Sequence, residues 1–437
     1  MAEALSQDSG LATKALHAGL ELQQSESQTE IVHRTTAFHF KNSEHAANLF
    51  GLKELGQIYT RLTNPTQDML EARMAALDGG AAALAVASGT SAIFYTIINI
   101  LRHGDELVAS RNLYGGTYVM LTSILPQLGI RTVLVDPCKP EEFESAINER
   151  TRLILVETIG NPLLELIDLE AIATIAQKHK LPLAVDSTFT PPCLLRPIEH
   201  GANIVIHSLT KWYNGHANLV GGGVVDAGNF DWSDPKFDLY NEPEASYHGL
   251  RFGHDLGGLQ ALAFVLRMRT IPLRNLGAAI APDNAWQVMQ GVKTLSLRLE
   301  RQSENALALA RFLQEKETIA WVRYPGLESD PSYSLAQKYL PKSNKDGGQL
   351  AGGMISFAFK GGRAEGQSFI DKLKLFSLVA NVGDVRSLAI HPASTTHSQL
   401  SAKELADSGL DEGLVRFSIG IEDLADLKKD IVQALSR

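Results

Sequence analysis

Between residues 83 and 208 one pattern recurs, and it constrains the fold more than any other feature of the chain. ALAVAS (83–88), ELVAS (106–110), RTVLVD (131–136), RLILVET (152–158), LPLAVDS (181–187) and NIVIHS (203–208) are short apolar runs. Helix-like segments such as LEAIATIAQKHK (169–180) separate most of them. Strands apolar on both faces and alternating with helices predict an α/β fold, a mostly parallel sheet covered by helices. Ligands bind such sheets beyond the carboxyl ends of the strands, and polar residues close these runs. The chain is 437 residues long and 44% hydrophobic, ample for a large core. Its length suggests about two to three domains.

The remaining segments divide around that centre. Residues 1–65 lack clear periodicity and include the polar LQQSESQTE, so they predict an extended N-terminal segment. Residues 66–280 hold the α/β unit. Residues 281–437 mix strands (GMISFAF, LVRFSIG) with helices (GQSFIDKLK, DLADLKKDIVQAL), which predicts a smaller α+β C-terminal domain. The Gly-rich SNKDGGQLAGG (343–353) is expected to be a flexible loop.

Several function classes are disfavoured at once. A net charge of −9 argues against nonspecific nucleic-acid binding. Cys138 and Cys193 are the only cysteines, with no CxxC or Cys/His cluster, so neither disulfide framework nor metal site is expected. MAEALSQDSG lacks the basic flank and apolar core of a signal peptide, and no apolar run reaches membrane length. A cytoplasmic protein with no membrane partner is the expectation.

The chemistry gathers at strand ends. Lys211 follows NIVIHS, with Ser208 and Thr210 on alternate positions before it. A lysine there is ordinarily a surface group. Two hydroxyls that hold a phosphate beside an amine of lowered pKa would instead suit bond formation with an aldehyde. Asp186 closes the preceding run, as a cap, an ion-pair partner, or the acid that keeps a pyridinium nitrogen protonated. Ser88, Gly89 and Thr90 form a small turn opening a helix, whose free N–H groups can receive an anion or simply start a capped helix. Tyr114, in LYGGTY, is a core or loop aromatic, or a ring whose neighbouring glycines let a flat ligand approach.

Taken together, these residues resemble the Cys/Met-metabolism family of pyridoxal-phosphate enzymes, of fold type I (aspartate aminotransferase-like). The resemblance runs from HAGLE (17–21) to the C-terminus. Its markers are YTRLTNPT (59–66), LYGGTY, VETIGNP (156–162), VDSTF, HSLTKW, NVGDVRSLAIHPASTTH (381–397) and GLVRFSIGIED (413–423). Within the family the chain is most similar to the O-acetylhomoserine sulfhydrylases. The resemblance implies pyridoxal 5'-phosphate bound through Lys211, which would also shuttle protons. Asp186 would pair with the pyridine nitrogen, Tyr114 would stack on the ring, and Asn161 would lie near the ring hydroxyl. Ser88, Gly89, Thr90, Ser208 and Thr210 would hold the phosphate. Tyr59 and Arg61 would reach that phosphate from a neighbouring subunit, implying a homodimer with shared sites within a homotetramer. Arg416, with Asn381, would grip the amino-acid carboxylate. Outside the motif context, Arg61 and Arg416 would read as surface ion-pair residues.

The implied reaction is γ-replacement on O-acetyl-L-homoserine by sulfide or a thiol, giving homocysteine or methionine and acetate. Cystathionine γ-synthase and methionine γ-lyase chemistry are the alternatives. SGTSA, DSTF and HSLTKWYNGHANL depart from the usual SGQAA or SGMAA, DNTF and HSATKW patterns. They leave the leaving group and the sulfur donor open among free sulfide, a thiol and a sulfur-carrier protein. Gly116, where γ-lyases typically carry cysteine, argues against a γ-lyase. Segment 229–249 resembles an insertion typical of sulfhydrylases.

Overall fold

The structure is a computed structural model that describes residues 6, 8–20, 27–395 and 411–436. Glu21 of HAGLE, residues 22–26 of the polar N-terminal stretch, and Thr396 and His397 of the 381–397 motif lie outside the described residues.

Each expected apolar run forms a strand: β1 (Ala82–Val86), β2 (Glu106–Ser110), β3 (Arg131–Val135), β4 (Thr151–Glu157), β5 (Leu183–Asp186) and β6 (Ile204–His207). A further strand, β7 (Gly222–Asp226), comes from GGGVVDAG, a run too rich in glycine to announce itself. The sheet order is β1-β7-β6-β5-β4-β2-β3. All its pairings are parallel except those of β7, which is antiparallel to both β1 and β6. It follows that β1 points the same way as β6. The carboxyl ends of β1, β4, β5 and β6 therefore share one rim, closed by the amino end of β7.

The second sheet has the order β10-β11-β12-β9-β8. It contains β8 (Ile319–Arg323), β9 (Met354–Phe359), β10 (Ser377–Leu378), β11 (Leu388–Ile390) and β12 (Leu414–Ser418). Helices Leu295–Gln314 and Gly362–Lys372 pack on it, and Leu424–Leu435 packs against those two helices. Phe357, Phe369 and Phe417 interlock at its centre, with the Phe357 and Phe417 centroids 4.9 Å apart. One hydrophobic core joins the two sheets, since Val185 of β5, Leu299 and Phe357 belong to the same buried cluster.

Segment 229–249 is anchored through its aromatics. Trp232 stacks on Tyr240 at 4.4 Å, and Asn99 of helix Gly89–Ile100 donates to the Tyr240 hydroxyl at 3.0 Å. Its composition reads as irregular, yet Trp232, Phe237 and Tyr240 are buried. Residues 343–353 do form a loop, held by the Ser343 N–H donating to the Gly348 carbonyl at 2.8 Å.

Candidate active site

The rim brings together strand ends that are far apart in the sequence. Ser88 caps helix Gly89–Ile100 by accepting the Ser91 N–H at 3.0 Å. The Gly89 and Thr90 amides have no protein acceptor among the described residues. A Cβ on Gly89 would stand 2.7 Å from the Ser208 Cβ, so glycine is what lets these two turns touch. The Ser208 N–H donates to Thr188 Oγ1 at 2.8 Å. Thr210 behaves differently: its hydroxyl donates to the Gly221 carbonyl and accepts the Gly221 N–H, both at 3.1 Å. To donate to a phosphate it would have to turn away from that carbonyl.

Asp186 ends β5 and remains partly open to the cleft, its Oδ1 accepting the Thr188 N–H at 2.9 Å. In the β4–β5 register Glu157 stands directly beside it. Glu157 Oε1 accepts the Tyr114 N–H at 2.7 Å. Burial raises both carboxyls above the usual range, and the charge of Asp186 pushes Glu157 further up. No lysine or arginine pairs with either carboxylate among the described residues. Tyr114 itself is 53% exposed at the mouth of the cleft. A Cβ on Gly116 would come within 2.6 Å of its ring, so the glycine gives the ring room.

Across the cleft stands the cationic half of the site. Lys211 is half-buried and its Nζ donates to Asn381 Oδ1 at 2.6 Å. Burial, aided by repulsion from Arg416, brings its amine down to about 8. Arg416 lies on β12 and donates through Nη1 to Asn161 Oδ1 at 2.9 Å. Burial pulls its guanidinium down to about 10, with nearby Tyr114 opposing, so it is still cationic at neutral pH. No carboxylate pairs with it among the described residues. The Ser356 hydroxyl of β9 donates to the Pro162 carbonyl at 2.6 Å, tying the second sheet to the Asn161 turn.

Tyr59 and Arg61 stand apart from this cluster. Both are exposed, the Arg61 guanidinium lies 5.2 Å from the Tyr59 ring centroid, and Arg61 has no carboxylate partner among the described residues. No hydrogen bond or ion pair joins them to Lys211, Asp186 or Arg416 among the described residues.

Glu157 and Thr188 belong to the site although residue types alone did not single them out. The available signal was positional, because VETIGNP and VDSTF each close a strand. Gly383 was similarly hidden: a Cβ there would press within 2.7 Å of the Trp212 nitrogen, just past Lys211.

The model of the family "Cys/Met metabolism PLP-dependent enzyme" matches residues 12–436. The chain belongs to this family. An O-acetyl-L-homoserine sulfhydrylase of Leptospira meyeri is 48% identical, with 97% of this chain and 96% of that protein covered. O-acetyl-L-homoserine sulfhydrylase 1 of Thermus thermophilus is 46% identical, with 97% and 99% covered. A solved structure from Campylobacter jejuni, described as an O-acetylhomoserine (thiol)-lyase with N'-pyridoxyl-lysine-5'-monophosphate, superposes with a TM-score of 0.92. It is 38% identical, covering 98% of this chain and 100% of that one.

The residues present fit the pyridoxal phosphate that membership in the family requires. Two acceptor-free amides face the close Gly89–Ser208 approach. The partly buried carboxylate of Asp186 has no lysine or arginine partner among the described residues, and a pyridinium nitrogen would supply that charge. An amine brought down to about 8 is partly neutral at physiological pH. Among the described residues no group of three His, Cys, Asp or Glu side chains could hold a metal, and no helix is long and apolar enough to cross a membrane.

Proposed function

We propose that the chain catalyses γ-replacement on O-acetyl-L-homoserine, exchanging acetate for sulfide or a thiol to give homocysteine or its thioether. The observation that carries this reading is the full-length likeness to relatives of that name, at 46–48% identity. The site supplies the matching chemistry. Lys211, Asp186, Tyr114 and Asn161 would hold the cofactor's ring region, and Ser88, Gly89, Thr90, Ser208 and Thr210 its phosphate. When bound, pyridoxal phosphate withdraws electrons from the substrate's Cα. Asp186 keeps the ring nitrogen protonated. Lys211 would accept the substrate's Cα proton on Nζ and later return it. Arg416 binds the substrate carboxylate in a bidentate fork, and Asn381, already bonded to Lys211, lies beside it. Tyr114 stands at the mouth, where its hydroxyl can move a proton as acetate leaves Cγ and sulfur arrives.

Tyr59 and Arg61 belong, on this reading, to the site of a neighbouring subunit. What supports it is an exposed arginine with no carboxylate partner and no hydrogen bond to its own Lys211 cluster among the described residues. The working unit is then a homodimer, assembled further as a tetramer, whose 1–65 segment serves the partner. Residues 66–280 carry the cofactor and 281–437 supply Arg416. The enzyme is placed in the cytoplasm, in keeping with two cysteines that form no disulfide.

Purified enzyme given O-acetylhomoserine with sulfide, methanethiol or cysteine in parallel tests the reading. Homocysteine and acetate in equal amounts are expected with sulfide. Cystathionine as the dominant product would overturn it, and 2-oxobutanoate with ammonia would point to elimination.

A further inference from the structure

A buried ion pair outside the Lys211 cluster links two regions that the reaction uses. Arg269 donates through Nη2 to Glu71 Oε2 and through Nη1 to the Leu62 carbonyl. The Glu71 carboxylate also accepts, at Oε1, the Ala85 N–H of β1 at 2.9 Å. Glu71 is 8% exposed and Arg269 17%. Leu62 directly follows Arg61, and its N–H donates to the Tyr59 carbonyl at 2.7 Å, with Thr63 doing the same at 3.0 Å. The turn bearing Tyr59 and Arg61 is thus bolted, through one guanidinium, to the strand that leads to Ser88 and Gly89. Arg269 opens a widened π turn, Arg269–Leu273, where Pro272 lacks the N–H that regular helix would use. Such turns recur at functional sites.

A surface turn would not require this. Its own hydrogen bonds already close it, and a buried charge pair contributes little net stability compared with apolar packing. A fixed turn matters if the exposed guanidinium beside it has a target elsewhere. We propose that Arg269 is a positioning residue for the neighbouring subunit's cofactor: it fixes the Tyr59–Thr63 turn so that Arg61 meets the phosphate there. The inference rests on the reading that Tyr59 and Arg61 act across the subunit boundary. Arg269 itself touches no cofactor.

The test uses the full-length dimer loaded with pyridoxal phosphate or with pyridoxal, which lacks the phosphate. Two variants are needed. Arg269→Gln combined with Glu71→Gln removes both charges of the pair, and Asp68, whose carboxylate the guanidinium also favours, keeps its Gln57 hydrogen bond. Arg269→Lys keeps a charge beside Glu71 but cannot fork to Leu62 as well. Both should bind pyridoxal phosphate about tenfold more weakly, the scale of losing an outer supporting contact, with pyridoxal binding unchanged. Equal weakening of both ligands would mark general damage and overturn the inference.

Hybrid dimers then locate the effect. Each variant is paired with a Lys211→Ala subunit, so that the one competent lysine lies on the variant and receives its turn from an intact neighbour. Arg61→Ala is treated identically. Tight pyridoxal phosphate binding, followed by the lysine-linked absorbance, should return in both hybrids. Return for Arg61→Ala without return for the Arg269 variants overturns the inference and leaves the cross-subunit reading standing. Return in neither overturns that reading, and the inference with it.

Discussion

Asp78 and Asp186 are two carboxylates on either side of the last residues of β6, and the chain equips them in opposite ways. Asp78, fully buried, accepts His207 Nε2 at 3.0 and 3.1 Å and the Tyr213 hydroxyl at 2.9 Å. Asp186 receives the Thr188 N–H, sits beside Glu157, and has no lysine or arginine partner among the described residues. Opposite it, Lys211 and Arg416 are bonded to neutral asparagine oxygens instead of carboxylates. Buried polar groups are costly unless paired. Where the protein supplies the partners, as at Asp78, the cluster is architecture. Where it withholds them from both an acid and two bases facing one cleft, the missing partners are those a ligand brings.

Substitutions can break this contrast, beginning with the largest expected effect. Lys211→Ala should lower kcat by more than about 10⁴-fold, beyond the loss of a single acid–base group, while leaving the urea midpoint near wild type. Asp186→Asn should cost about 10²–10⁴-fold in kcat with little change in stability. Asp78→Asn should do the reverse, losing about 3–5 kcal/mol in urea denaturation, as when a buried pair loses one partner. A larger activity loss at Asp78 than at Asp186 would dissolve the contrast.

Arg416→Met should raise KM for the amino-acid substrate about 30-fold, the equivalent of about 2 kcal/mol, with a smaller change in kcat. The finest test is pH. Lys211 must be neutral to attack an aldehyde, and burial together with Arg416 holds its amine at about 8. Cofactor uptake by the stripped enzyme should therefore climb with pH and level off near that value. An ordinary lysine would keep the rate climbing past about 10. Removing Arg416 relieves the repulsion, so the plateau should move to higher pH in stopped-flow uptake measurements.

Much of this was legible in the residues. Apolar runs located β1 through β6, because a strand buried on both faces must be apolar throughout. They could not disclose direction, and β7 escaped notice because Gly222 and Gly223 make a weak strand signal. A Cβ on Gly222 would come within 2.0 Å of the Ser88 carbonyl, so packing between β7 and the β1 turn demands the residue that hides the strand. Lys211 bonds Asn381, Arg416 bonds Asn161, and the strands that lead to Asp186 and Lys211 end on the same rim. The partnering within it was not readable: Glu157 beside Asp186 depends on register, and Thr210 facing Gly221 depends on a loop closure eleven residues long. The anchoring of segment 229–249 was hidden for a related reason, since its aromatics follow no strand or helix period.

The most direct test of the account is to reduce the holoenzyme with borohydride, digest it and locate the pyridoxyl group by mass spectrometry. It should lie on Lys211 alone. A pyridoxyl group on any other lysine, or none on the protein, would contradict it.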